Sequence, residues 1–281
     1  MEAYLPDWIM TRIQAIKDEI HEDKRVDNWF LVQSWIPVTS IVMAYLVFVN
    51  YLGPRMMRNR PAYNIKYIML VYNLIQTLMN AQMLTNIALP GVTDYLINHS
   101  CTPYPRDPEL KYQSFHLWIP FNEMSHRYYL IKLLDLLDTV FFVLRKKQSH
   151  VTFLHVYHHS LMVMAIWFGI RYLKAEQGIV LGALNCVVHV VMYSYYFLAA
   201  LGPSVRKYLW WKKYLTILQL IQFILIGVHA LCLIIFRCPM PVMFITYFIL
   251  LQAIVMCILF GNFYYQSYVK KKSDKLKEAL D

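Results

Sequence analysis

The chain has 281 residues, of which 58% are apolar and only 16% are charged, and its formal net charge is +10. A soluble domain carries about a quarter charged residues, so this composition argues against a soluble protein and for a membrane protein. The basic residues fall in short runs between apolar segments, which is typical of membrane topology, and no nucleic-acid-binding motif accompanies them. We therefore expect an integral membrane protein with no nucleic-acid partner.

Long apolar segments predict an all-α integral membrane protein with seven transmembrane helices, since roughly 20 apolar residues cross a bilayer. Six spans are the alternative if the first segment lies at the membrane surface. Gly53-Pro54 is expected to end the first span. The predicted spans occupy residues 31–52, 67–89, 115–144, 151–170, 178–201, 214–236 and 242–265. The predicted organisation is a lumenal amphipathic segment (1–30), a seven-span catalytic domain (31–265) and a basic cytosolic tail (266–281).

Lys and Arg concentrate in the loops after the first, third and fifth predicted spans and in the C-terminal tail. By the positive-inside tendency these parts are cytosolic, and the N-terminus is lumenal. The Asn-x-Ser sequence at Asn98 then falls on the lumenal side, as a glycosylation candidate. Cys101 and Cys238 lie in two different lumenal loops, where an oxidising compartment makes them a disulfide candidate.

Three histidines, His155, His158 and His159, stand within the fourth predicted span and form what we term the histidine cluster. Residues at i, i+3 and i+4 share one face of a helix, so the three imidazoles point the same way. Ionisable groups at membrane depth are costly and mark a functional interior rather than a lipid-facing surface. This cluster is the strongest functional signal in the chain.

Further polar residues lie at a similar depth on two neighbouring spans. Lys132, Asp135 and Asp138 form a stripe on the third span, and Asn185 and His189 stand one turn apart on the fifth. At about 1.5 Å per helical residue, Asp135, Asp138 and His189 fall near the level of His158, closer to the cytosolic face. The sequence therefore predicts one site built from three helices. For the lysine stripe, an internal Lys–Asp ion pair is the alternative interpretation.

Two kinds of chemistry fit clustered histidines in a membrane. Di-iron desaturases and hydroxylases use several such boxes, but this chain has 10 His and only one cluster, too few for two irons, so no metal is expected. Imidazole can instead act as a nucleophile and as a general acid or base. A di-iron lipid oxygenase and a seven-span receptor or transporter remain the alternatives to an acyl-transfer enzyme.

Four ordered motifs spread over nearly the whole chain resemble those of the ELO family of very-long-chain fatty acid elongases. Two departures stand out: Asp135 replaces the usual Glu, and the last residues, 278–281, lack a dilysine ending. The motifs are Lys132-x-x-Asp135-x-x-Asp138-Thr139, His155-Val-Tyr-His158-His159, Asn185-x-x-x-His189-x-x-Met192-Tyr193-x-Tyr195-Tyr196 and Thr216-x-x-Gln219-x-x-Gln222-Phe223.

The resemblance implies a very-long-chain 3-oxoacyl-CoA synthase of the endoplasmic reticulum membrane. Such an enzyme condenses a long-chain acyl-CoA with malonyl-CoA to give a 3-oxoacyl-CoA, CO2 and CoA, and extends the chain by two carbons. The implied fold is six helices ringed around a closed-ended acyl tunnel, with the first span outside the ring. No cofactor is implied. The expected partners are both CoA substrates, membrane lipid and the reductases and dehydratase of the elongation cycle, with a homodimer among the oligomeric states considered.

Roles for individual residues follow as hypotheses from the same resemblance. His158 accepts the acyl group through an acyl-histidine intermediate, while His155 and His159 orient it and shuttle protons. His189 and Asn185 stabilise the enolate oxygen formed when malonyl-CoA loses CO2. Asp138 holds a histidine tautomer. The expected substrate-binding residues are Lys132, Asp135, Arg145, Tyr195, Lys212, Lys213, Thr216 and Gln219.

Overall fold

The computed structural model describes residues 6, 9–11, 14, 24–88, 101, 118–173, 178–238 and 243–270. Over these residues the predicted all-α class is confirmed: the chain folds into long helices and forms no strand. Three of the helices contain one π-helical turn each, at Phe48–Leu52, Gly169–Leu173 and Tyr265–Lys270. The long helices are α1 (Trp35–Met57), α2 (Lys66–Ile87), α3 (Trp118–Leu144), α4 (Phe153–Leu173), α5 (Gly178–Leu201), α6 (Lys212–Ile235) and α7 (Phe244–Lys270).

Five of these helices, α1 and α4 to α7, are long and apolar enough to cross a membrane. Helices α2 and α3 have 22 and 27 residues, which is long enough, but they are more polar. Their polar side chains are buried inside the bundle, where protein groups rather than lipid surround them. The chain is thus a multi-pass membrane protein, and the count of seven spans stays a prediction. The buried polar residues are Asn73, Gln76 and Asn80 on α2 and Asn122, Lys132, Asp135, Asp138 and Thr139 on α3.

The first helix does not end at Gly53-Pro54 as predicted, because it continues to Met57. The π-helical turn before Gly53 shifts the hydrogen-bond register, and Pro54 then occupies the first turn of the next α-helical segment. A proline is tolerated in a first turn, where its missing N–H would have no helical partner. Gly53 also allows α1 to approach α3 closely, since a Cβ there would lie 2.6 Å from Cγ1 of Val143.

Local signals explain where several helices begin and end. The Ser34 side chain accepts a hydrogen bond from the backbone N–H of Ile36 at the start of α1. Thr152 caps α4 in the same way, accepting from the N–H of His155 at 3.3 Å. Gly202, with a φ of 132° that favours glycine, and Pro203 end α5 where the sequence predicts.

Six of the helices form a ring in which each contacts the next, in the order α2, α5, α6, α7, α4, α3 and back to α2. The contact between α4 and α7 includes a hydrogen bond of 2.7 Å from the Tyr157 hydroxyl to Gln252 Oε1. Helix α1 packs against α3 and α4 from outside this ring. This arrangement matches the expected position of the first span, and the acyl tunnel stays a prediction.

A disulfide joins Cys101, in the segment before α3, to Cys238, which follows α6. Helix α7 extends to Lys270, beyond the boundary predicted at residue 265. The glycosylation candidate Asn98, most of the N-terminal segment 1–30 and residues 271–281 of the tail lie outside the described residues.

Candidate active site

The histidine cluster lies on one face of α4, as the i, i+3, i+4 spacing predicts. The ring centroids of His155 and His159 are 4.2 Å apart, and those of His158 and His159 are 5.6 Å apart. His159 is buried between the other two, and His158 is half-buried with its ring edge-on to Phe223 of α6 at 6.2 Å. The three imidazoles therefore form a continuous patch that faces the inside of the helix ring.

The outer end of this patch is lined by an aromatic ring from α3. Phe142 lies 5.4 Å from the His155 ring and 5.3 Å from the ring of His150, in the loop before α4. Nε2 of His155 is buried and has no hydrogen-bond partner among the residues that the structure describes. An imidazole nitrogen without a partner keeps its lone pair or its proton available for transfer.

The second part of the site is a buried network centred on Asp135. Lys132 Nζ donates a hydrogen bond of 2.9 Å to Asp135 Oδ2 and lies 3.0 Å from His189 Nδ1 on α5. Asp135 Oδ2 is itself 3.5 Å from His189 Nδ1. Lys132 is only 2% exposed, so its charge is balanced by the carboxylate inside the protein rather than by water. We call this group, Lys132, Asp135 and His189, the lysine triad.

The lysine triad fixes which nitrogen of His189 carries the proton. An ammonium group only donates, so Nδ1 of His189 must accept from Lys132 and is unprotonated. The ring proton of the neutral imidazole then resides on Nε2. His189 is thereby prepared to donate a hydrogen bond through Nε2 to a substrate oxygen.

Asp138 does not take the predicted position beside a histidine. Its Oδ2 accepts a hydrogen bond of 2.7 Å from the hydroxyl of Tyr193, which is fully buried on α5. Asp138 lies about one turn after Asp135 on α3 and contacts Tyr193. Asp135, rather than Asp138, is therefore the carboxylate next to His189. Thr139, the last residue of this motif, is also buried and lies 2.8 Å from the Tyr45 hydroxyl of α1.

Asn185 lies one turn before His189 on α5, and its Oδ1 accepts a hydrogen bond of 2.7 Å from the Tyr128 hydroxyl. This bond orients the side-chain amide, because it assigns the oxygen to Tyr128. Lys132 Nζ lies 4.9 Å from the centroid of the Tyr128 ring, so the same tyrosine also contacts the lysine triad. Asn185 and His189 therefore both connect to Lys132, Asn185 through Tyr128 and His189 directly.

The other predicted binding residues lie on α5 and α6, and their contacts are with residues outside the histidine cluster. Thr216 is buried, and Gln219 makes only a long contact of 3.8 Å to the sulfur of Met192. The Tyr195 ring packs edge-on against Trp211 at 5.0 Å, at the start of α6. Neither of these contacts joins Gln219 or Tyr195 to the lysine triad.

Three basic residues lie near His150, which belongs to the loop between α3 and α4. Burial lowers the pKa of His150 below its usual value, and the nearby charges of Lys212, Lys147 and Arg145 lower it further. His150 is therefore neutral at pH 7, and the charge here comes from the lysines and Arg145, which we call the basic collar. Lys213, predicted to belong here as well, lies over the ring of Tyr214 at 4.8 Å.

Two residues of α2 belong to the site and were missed by the sequence motifs. Gln76 donates a hydrogen bond of 2.8 Å from Nε2 to Asp135 Oδ1, and the same nitrogen lies 3.2 Å from the Tyr72 hydroxyl. Tyr193, which the motif contained but to which no role was assigned, donates to Asp135 Oδ1 at 3.0 Å. The available signal was the polar stripe Asn73, Gln76 and Asn80 in an otherwise apolar segment, which typically marks a face turned away from lipid.

Across the described residues, no three His, Cys, Asp or Glu side chains are arranged to hold a metal ion. The nearest cation to the His189 ring is the ammonium of Lys132. The expectation that no metal is needed stays a prediction.

Comparison with known proteins gives a consistent family. The ELO family model, described as the GNS1/SUR4 family, matches residues 30–276. The chain is 39% identical over 250 residues to very long chain fatty acid elongase 7 of Rattus norvegicus, a match covering 88% of this chain and 86% of the relative. It is 40% identical over 256 residues to elongase 4 of Homo sapiens (90% and 78%) and 36% identical over 254 residues to elongase 1 of Mus musculus (90% and 88%).

Proposed function

The chain belongs to the ELO family, and we propose that it is the condensing enzyme of fatty acid elongation. In this proposal it joins a long-chain acyl-CoA to malonyl-CoA and releases CO2 and CoA, giving a 3-oxoacyl-CoA two carbons longer. The names of its relatives support elongation. The observation that carries the chemistry is the pairing of a histidine patch on α4 with a buried His189 whose tautomer Lys132 sets.

The first half-reaction is acyl transfer to His158. A nitrogen of the neutral imidazole attacks the thioester carbonyl, a C–N bond forms, and the C–S bond of the acyl-CoA breaks. The imidazole loses its proton, which His159 or His155 relays to the departing CoA thiolate. The products are an acyl-histidine and CoA with a free thiol. In this proposal, exclusion of water from the occupied tunnel protects the acyl-imidazole from hydrolysis.

His158 is the best nucleophile because of its surroundings. Its ring faces Phe223, which belongs to an apolar group with Ile226, Ala253 and Met256 between α6 and α7. An acyl chain on His158 would lie along this apolar surface, which supports the proposal of a tunnel between α4, α6 and α7. His159, buried behind His158, is placed to exchange its proton.

The second half-reaction is decarboxylation and carbon–carbon bond formation. The bond between C2 and the carboxylate of malonyl-CoA breaks, CO2 leaves, and the electron pair forms a thioester enolate. The Nε2–H of His189 and the amide of Asn185 stabilise the enolate oxygen. The enolate carbon attacks the acyl carbonyl, the C–N bond to His158 breaks, and the imidazole regains a proton. One proton is consumed in the complete reaction.

We further propose that the basic collar binds the CoA phosphates as each substrate enters. Arg145, Lys147 and Lys212 provide charge at the end of the bundle next to the histidine cluster. This direction of entry requires a cytosolic collar, so we propose an endoplasmic reticulum membrane protein with a lumenal N-terminus. The proposed partners in the cycle are the reductases and the dehydratase that process the 3-oxoacyl-CoA.

The test is a reconstituted reaction with the purified full-length chain, a panel of acyl-CoAs of increasing length, and malonyl-CoA labelled at its free carboxylate. We expect labelled CO2 release that requires both substrates, and a product of the predicted mass. Incubation with acyl-CoA alone should release at most one equivalent of CoA and leave an acyl group on the α4 peptide. Absence of malonyl-dependent CO2 release, or stoichiometric iron with oxygen consumption, would overturn the proposal in favour of a lipid oxygenase.

A further inference from the structure

Asp135 is held from three helices. Its Oδ1 accepts hydrogen bonds from Gln76 of α2 at 2.8 Å and from Tyr193 of α5 at 3.0 Å, while Oδ2 accepts from Lys132 of α3 at 2.9 Å. Both carboxylate oxygens therefore have strong donors, and the plane of the carboxylate is fixed. Asp135 is 1% exposed, so water does not compete for these bonds.

The Gln76 side chain has few partners that would explain its burial, whereas the Tyr193 hydroxyl is shared between Asp135 and Asp138. Gln76 is fully buried, and its Oε1 has no hydrogen-bond partner in the described part of the chain. Its Nε2, in contrast, serves both Asp135 and Tyr72. Burying an amide whose oxygen has no partner is costly. The hydrogen bond from Gln76 Nε2 to Asp135 is the contact that can offset this cost.

The geometry points to Gln76 and Tyr193 as positioning residues for the condensation step, acting on His189 through Asp135 and Lys132. This inference rests on the proposed function. Gln76 and Tyr193 fix Asp135, Asp135 fixes the ammonium of Lys132, and the ammonium fixes the tautomer of His189. None of these bonds reaches His158. Gln76 and Tyr193 should therefore affect the rate of condensation and not the rate of acyl transfer to His158.

A purely structural role is the competing explanation, since the same hydrogen bonds join α2, α3 and α5. Loss of bundle stability would disturb both half-reactions together, because the histidine cluster packs on α3 as well. A positioning role would instead slow condensation and leave the rate of acyl transfer unchanged. Displacing a reacting group by about 1 Å costs about 10²-fold in rate, so the expected effect on condensation is large.

The test uses Gln76→Met and Tyr193→Phe, which keep side-chain shape and remove a donor to Asp135. Gln76→Met also removes the contact with Tyr72. Tyr193→Phe also removes the bond to Asp138. The effect assigned to Asp135 is therefore the one that both variants share.

Asn73→Leu is the matched control, because Asn73 is also buried on α2, one turn away, and its Nδ2 bonds nothing among the described residues. Two rates are measured: CoA release from acyl-CoA alone, and labelled CO2 release when malonyl-CoA is added to the preformed acyl-enzyme. The ¹⁵N chemical shifts of His189 report its tautomer in each variant.

We expect both donor-deleting variants to release CoA at the wild-type rate within about twofold and CO2 about 10²-fold more slowly. Their His189 signals should shift toward a mixture of tautomers, and Asn73→Leu should match the wild type in all three readouts. Equal losses in both half-reactions, or an unchanged CO2 rate, would overturn the inference. A wild-type protein that releases no CoA before malonyl-CoA arrives would instead overturn the proposed function.

Discussion

The two halves of the site are built in opposite ways. On α4, the histidine cluster is held by ring packing, and the buried Nε2 of His155 has no partner among the described residues. Around Asp135, the hydrogen bonds are close and several, from Lys132, Gln76 and Tyr193. Ring packing holds the histidine cluster in place, whereas hydrogen bonds and an ion pair hold the lysine triad.

This difference fits the two tasks that we propose. A nucleophile or proton carrier needs a nitrogen that is not already committed, so packing is the suitable way to hold it. A group that stabilises a developing charge must not reorganise during the reaction, and saturated hydrogen bonds keep it fixed. Variants in the first half should therefore stop acyl transfer, and variants in the second should slow condensation.

The largest effect is expected for His158→Ala, which removes the proposed nucleophile. Acyl-enzyme formation should fall to background, because among the described residues His158 is the histidine whose ring faces Phe223. The amount of acyl-enzyme is measured by intact mass spectrometry after incubation with a long-chain acyl-CoA. His229→Ala is the control, since His229 is another histidine at membrane depth but lies on α6 outside the cluster. A covalently retained acyl group in His158→Ala would contradict the assignment.

A smaller and more selective effect is expected for His189→Ala. Removal of one donor to an oxyanion costs about 10²- to 10³-fold, so CO2 release should slow by that factor while acyl-enzyme still forms. Single-turnover measurements on preloaded enzyme separate the two steps. If His189→Ala also loses acyl transfer, the division of the site between α4 and α5 is wrong.

Stability should respond strongly to Lys132→Met, because this change leaves Asp135 charged, buried and without its ion-pair partner. Breaking a buried ion pair from one side costs about 3–5 kcal/mol in the free energy of unfolding. Adding Asp135→Asn should recover part of this loss, since the asparagine is neutral. Thermal unfolding in detergent measures both variants. A double variant no more stable than Lys132→Met would show that charge is not what Lys132 provides.

Much of this site was predictable because its residues carry their own positional signals. The spacing of His155, His158 and His159 places them on one face, and the depth count brings Asp135 and His189 together, which the 3.5 Å approach bears out. Helical periodicity and the fixed rise per residue are sufficient for both inferences. Neither depends on how the side chains rotate.

The parts that sequence missed depend on packing between helices. The sequence assigns Asp138 to a histidine, whereas the structure joins Asp138 to Tyr193 and places Asp135 beside His189, an outcome that depends on the relative rotation of α3 and α5. Gln76 was missed because one buried amide on α2 resembles any inter-helix hydrogen bond until its partner is known. The extension of α1 past Gly53 depends on a π-helical turn that no residue type announces.

The smallest effect is expected at the basic collar, outside both halves of the comparison. Lys212→Gln removes one charge near the proposed phosphate path and should raise KM for acyl-CoA up to about fivefold, the range of an exposed ion pair, with kcat unchanged. Because Lys212 is one cause of the lowered pKa of His150, the same variant should raise that pKa, which an NMR titration can follow.

Lys207→Gln is the control, since Lys207 lies over the ring of Tyr208 at 4.9 Å. The difference in KM between Lys212→Gln and the wild type should shrink as salt rises, since about 0.1 M salt screens charges beyond about 10 Å; a difference independent of salt would indicate that Lys212 acts by packing rather than by charge.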